Sequence, residues 1–126
     1  MSETGFGLDA RLAADTAVVG DAPLCRVLLM DDARWPWLIL VPRRAGATEL
    51  HELRGDDRDR LWAESAAVAE AMLAQMPPGK LNVAALGNVV PQLHLHHVLR
   101  HAGDPAWPGP VWGVGTRAPY PDAPAV

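Results

Sequence analysis

What this sequence lacks narrows the range of functions before any motif is considered. It carries one cysteine, Cys25, so no internal disulfide can form and the reducing cytoplasm is the expected compartment. Positive charge is in deficit, with 11 Lys and Arg against 15 Asp and Glu and a net charge of -4. That balance offers no basic footprint for a nucleic-acid backbone or an anionic membrane. It still allows an anionic small molecule held by imidazoles and backbone amides. No apolar run approaches the ~20 residues of a membrane span. The N-terminal stretch MSETGFGLDARL has acidic residues where a signal peptide would carry its apolar core. No repeat or low-complexity linker divides the chain. Its 126 residues, 49% hydrophobic and 21% charged, therefore predict one soluble domain, 1–126, with a core of its own.

Against those absences stands a series of short apolar segments. Residues 16–19 and 26–30 read as strands separated by Gly20, Asp21 and Pro23. Residues 37–41 are apolar throughout, as a strand covered on both faces should be, and Pro42 stops them. Residues 43–55 connect, with a short helical turn expected around 48–53. Asp56 or Asp57 can cap a helix running to about Met76. Its Leu61, Ser65, Val68, Ala69, Met72, Leu73 and Met76 recur at helical spacing and form a core-facing stripe. Pro77-Pro78-Gly79 ends it, and 81–86 and 93–99 complete the strands. The order predicts an α+β domain: an antiparallel sheet of about five strands with one long helix and one short helix packed on it. Residues 102–126 are rich in Pro, Gly and Trp. They read as an irregular tail whose Trp107 and Trp112 pack on the domain.

The stretch PQLHLHHVLRH, residues 91–101, holds four of the five histidines. Strand alternation puts Gln92, His94, His96 and Val98 on one face, and Leu93, Leu95, His97 and Leu99 on the other. The second set is the core face, so His97 reads as a satisfied core histidine. His51 and His101 lie in connecting sequence and read as solvated. The acidic run 52–59 reads as a loop and a helix N-terminus, where carboxylates suit the dipole. That leaves His94 and His96 for chemistry. A metal site is one use of a His-x-His pair, but it needs a third ligand. His51, Asp31 and Cys25 are available, yet no spacing ties them to the pair. Phosphate chemistry is the other use. It needs an imidazole nucleophile and donors for phosphoryl oxygens, and both occur within 87–96, where a Gly-Asn loop precedes the histidines.

GNVVPQLHLHHV resembles the signature of the histidine-triad family, and WLILVP and LNVAALGN resemble the strands that flank it there. The likeness covers roughly residues 24–99. It implies an antiparallel sheet with helices on one face, paired as a homodimer. It also implies hydrolysis or transfer of nucleoside monophosphate groups from nucleoside phosphoramidates, acyl adenylates or dinucleoside polyphosphates, with a purine nucleotide or nucleotide conjugate as substrate and no metal or cofactor. By the resemblance His94 is the nucleophile that forms a covalent nucleotidyl-imidazole, and His96 serves the phosphoryl oxygens and leaving group. Asn88 is a loop contact to phosphate or leaving group, Asn82 a structural or phosphate-side asparagine, and Asp31 a holder of ribose hydroxyls. Two positions depart from the pattern. Gln92 stands for the first histidine of the triad, and Trp37 stands for a further histidine whose volume its apolar ring fills. Glutamine forms hydrogen bonds but carries no titrating proton near neutrality, so the departures weaken the proton relay. The alternatives are a nucleotide-binding module with little turnover and a His-x-His metal protein.

Overall fold

The computed structural model describes residues 3–121. Five strands, β1 (Thr16–Asp21), β2 (Cys25–Met30), β3 (Trp37–Pro42), β4 (Lys80–Ala84) and β5 (Leu95–Arg100), form one antiparallel sheet in the order β1-β2-β3-β5-β4. The α+β class and the strand count agree with the sequence. The long helix α2 (Asp56–Gln75) and a single 3-10 turn (Leu50–Glu52) fall where they were expected. Three acidic residues, Asp56, Asp57 and Asp59, occupy the first turn of α2, where they complement the helix dipole.

One element and several strand boundaries differ from the sequence reading. Residues 10–15 form a helix, α1 (Ala10–Asp15), where the sequence reading places no element. Six residues are too few to show an apolar period. What nucleates the turn is the Asp9 side chain, which accepts from the Arg11 amide. β4 ends at Ala84, short of Leu86, and β5 begins at Leu95, after Leu93. In the α2 stripe Leu61, Ser65 and Met72 are buried, whereas Leu73 and Met76 are exposed. A residue outside the stripe, Glu64, is buried in their stead. Its two carboxylate oxygens accept from the amides of Leu24 and Cys25, both at 2.8 Å, and so satisfy the start of β2.

Strand alternation divides the interior into two layers. On the α2 side lie Leu24, Cys25, Leu40, Leu53, Leu61, Leu93 and Leu95. On the other lie Leu12 of α1, Leu28, Trp35, Trp37, Ile39, Val41, Val98 and Val111. β5 sits between β3 and β4 with both layers against it, and all six of its residues are buried. The second layer is closed by α1 and by the chain after β5. Asp104 anchors that chain: it pairs with the buried Arg100 at 2.7 Å and accepts from the amides of His101, Ala106 and Trp107. The Arg100 guanidinium foremost holds the Asp104 carboxyl well below the usual carboxylate range. Val111 and Trp112 then lie over the sheet face that carries His96.

Candidate active site

Leu93 and Leu95 are committed to the α2-side core, and the Leu93 amide donates to the Ala47 carbonyl at 2.9 Å. The intervening His94 and the following His96 must therefore point to the opposite layer, although His94 precedes the first residue of β5. Their rings meet edge to face with centroids 4.8 Å apart, and both are buried.

The partners of the two rings dictate their protonation. His94 Nδ1 lies 2.6 Å from the Gln92 carbonyl oxygen. A carbonyl only accepts, so Nδ1 carries the proton and a neutral His94 keeps its lone pair on Nε2. His96 is the reverse. The Trp37 indole N–H, which only donates, lies 3.0 Å from His96 Nδ1. The lone pair of His96 is thus on Nδ1 and its proton on Nε2. Burial, reinforced by the imidazoles of His94 and His97, pushes the His96 pKa down to about 3, so this ring is neutral near pH 7. Trp37 is accordingly more than an apolar filler: it sets the tautomer of the ring beside it. Trp112 packs on the same two residues, 5.1 Å from His96 and 6.1 Å from Trp37 between centroids.

His97 faces α2, where Nδ1 donates to the Leu95 carbonyl at 3.2 Å and Nε2 accepts from the Ser65 hydroxyl at 2.8 Å. Burial lowers its pKa as well. It is a satisfied core histidine, as alternation predicts.

His94 and His96 line a cavity of about 370 Å³, walled by Arg11, Leu12 and Asp15 of α1, Met30, Trp112 and the loop 86–90. In that loop Gly87 has φ of 82°, a left-handed conformation that a side chain would strain, and the exposed Asn88 follows at the cavity wall. An adjoining cavity of about 290 Å³ shares Leu86, Gly87 and His94 and is otherwise bounded by residues 48–51, Ala85 and 91–93.

Among the residues predicted from sequence, the structure thus brings together His94, His96 and Asn88. Asp31 and Asn82 do not line the cavity. Asp31 accepts from the Tyr120 amide at 2.9 Å, and Asn82 accepts from Arg100 at 3.0 Å. Gln92 sits beside the pair with its carboxamide turned to the N-terminal segment: Oε1 accepts from the Asp9 amide and Nε2 donates to the Gly7 carbonyl, each at 2.8 Å. Arg11, Leu12, Asp15, Met30 and Trp112 were not singled out as site residues. The tryptophans of the tail were the one signal that something covers this face. Among the described residues, no three His, Cys, Asp or Glu side chains gather as a metal-ligand group.

A comparison with curated proteins finds no match. Three solved structures are similar along most of the chain. A histidine-triad protein from Marinobacter aquaeolei VT8 shares 56% identity and a TM-score of 0.89, covering 91% of this chain and 84% of that one. One from Sinorhizobium meliloti 1021 shares 48% with a TM-score of 0.92 and coverage of 95% and 89%. One from Bradyrhizobium japonicum shares 46% with a TM-score of 0.89 and coverage of 91% and 86%. The HIT domain family matches residues 11–103, a span running from the α1 wall through both histidines, and the chain belongs to that family.

Proposed function

We propose that this protein is a nucleotide hydrolase or nucleotidyl transferase acting at the α-phosphate of a purine nucleotide conjugate: a phosphoramidate, an acyl adenylate or a dinucleoside polyphosphate. The observation that carries the reading is the opposed tautomers of two touching imidazoles, a free Nε2 lone pair on His94 and an Nε2–H on His96. His94 Nε2 attacks phosphorus, a P–N bond forms, and the bond from phosphorus to the leaving group breaks with its electron pair departing on that group. The ring then carries positive charge, which the Gln92 carbonyl stabilises through the Nδ1–H it already accepts. His96 Nε2–H donates to a phosphoryl oxygen as charge builds there, and Asn88 supplies a second donor at the loop. Water then attacks phosphorus, the P–N bond breaks, and nucleoside monophosphate and a proton are released. Asp31 and Asn82 serve in this reading by holding the frame, through Tyr120 and Arg100.

The test is a panel of nucleoside phosphoramidates and dinucleoside polyphosphates with intact-mass detection of the adduct. His94→Asn should abolish both adduct and turnover while leaving the fold and nucleotide binding in place; near wild-type turnover in that variant would remove His94 from the role.

A second reading, nucleotide binding with slow turnover, draws on the Gln92 carboxamide, which stands in this reading where the family's first motif histidine would be and has both polar ends engaged elsewhere. With no titrating group there, substrates with basic leaving groups should react poorly and the rate should fall steeply with leaving-group pKa. A flat dependence would show that the acid step is intact. We further propose a two-fold homodimer in the cytoplasm. β4 is an edge strand with Val83 exposed on it, and Cys25 is a free buried thiol.

A further inference from the structure

One wall of the cavity comes from α1, a short helix whose start depends on the N-terminal segment before it, which Glu3 pairs to Arg43 and Phe6 sets beneath Arg26. α1 is continuous with β1 at its C-terminal end, where the Asp31 amide donates to the Asp15 carbonyl. At its N-terminal end only six residues of helix are available, too few to persist by propensity. Phe6 and Leu8 pack against the core cluster there, but packing by itself does not set the register of the segment. Gln92 does. Its carboxamide binds the Gly7 carbonyl and the Asp9 amide as a neighbouring peptide group would. Asp9 in turn caps α1 through the Arg11 amide, and its own carbonyl accepts from Ala13 at 2.9 Å.

We propose that Gln92 is a positioning residue that ties the N-terminal segment across the site, so that α1 presents Arg11, Leu12 and Asp15 to a bound nucleotide. This rests on the nucleotide reading above. It assigns Gln92 to binding, separate from proton delivery: the side chain acts on substrate affinity through α1, while its backbone carbonyl serves His94. Glutamine suits the task because one end accepts and the other donates. Leucine removes both bonds, and glutamate keeps the acceptor but sets an anion against the Gly7 carbonyl.

The experiment compares the unmodified protein with Gln92→Leu and Gln92→Glu by amide exchange without ligand, by binding of adenosine monophosphate, and by steady-state kinetics. In Gln92→Leu the loss of two hydrogen bonds should speed exchange at Asp9 and Ala13 and weaken nucleotide binding by on the order of tenfold. Exchange in β5 should be unchanged, KM should rise with Kd, and kcat should stay within about threefold. Gln92→Glu should fall between the two and covers the case in which the leucine variant does not fold. Unchanged exchange at Asp9 and Ala13 overturns the tie. Faster exchange with unchanged affinity, or a lower kcat at constant KM, overturns its role at the site. If the unmodified protein binds no adenosine monophosphate the nucleotide reading fails, and the exchange data still decide the tie.

Discussion

Trp37 shows how much one donor can decide at the residue scale. An indole N–H cannot accept, so His96 Nδ1 must, and the neutral tautomer of His96 follows from a neighbour that does not itself line the cavity. Trp37→Phe removes that donor while keeping an aromatic ring in the layer. The two neutral tautomers of His96 should then mix, while burial still holds its pKa down. The rate should drop by about tenfold as the Nε2–H population falls. Nitrogen chemical shifts of His96 read the tautomer directly. An unshifted spectrum in the phenylalanine variant would mean that burial by itself sets the ring's state.

At the scale of an element, β5 carries two histidines with opposite duties because its faces meet different partners. His96 looks toward α1, Trp37 and the tail, while His97 looks toward α2 and Ser65. Substitutions should separate rate from stability accordingly. His97→Leu leaves the Ser65 hydroxyl buried without its partner and should cost about 1–3 kcal/mol in urea denaturation with kcat unchanged. His96→Ala should cut the rate by on the order of a hundredfold, with a smaller loss of stability. The opposite pattern would mean that the strand is read one residue out of register, since a shift of one exchanges its faces.

For the whole molecule, the buried imidazoles couple stability to pH. The folded-state pKa of His96 and that of His97 lie below 6.5, so between those values the unfolded chain binds protons that the folded one does not. Stability should be highest above pH 6.5 and fall as the solution is acidified toward pH 3, by at most about 1.4 kcal/mol per pH unit for His96, with His97 adding to the fall in the same direction. Urea midpoints at about pH 7.5 and about pH 5, on either side of the ordinary histidine pKa, test this. His97→Leu should show the shallower dependence, and equal slopes in both proteins would locate the effect elsewhere. Assembly belongs to the same scale: sedimentation at micromolar concentration should show twice the 13.5 kDa chain mass, and a monomer alone would count against the proposed dimer.

The sequence by itself determined what depends on local pattern. Period-2 alternation sorted His94 and His96 from His97, and helical spacing placed α2. The Pro42 and Pro77-Pro78-Gly79 stops bounded their elements. These features are legible because each is written in residues adjacent in the chain. Tertiary structure decided what depends on partners distant in the chain, such as Trp37 and His96, 59 residues apart, and Gly7 and Gln92, 85 apart. Only the folded chain brings Trp37 to His96, turns the Gln92 carboxamide to Gly7 and Asp9, and sets α1 and Trp112 around the cavity. It also draws Asp31 to Tyr120 and Asn82 to Arg100, away from the cavity wall. The physical reason is that a polar side chain commits its hydrogen bonds to whatever the fold places within about 3 Å of it. Composition and periodicity fix which face a residue occupies, and the packing of distant segments fixes what it meets there.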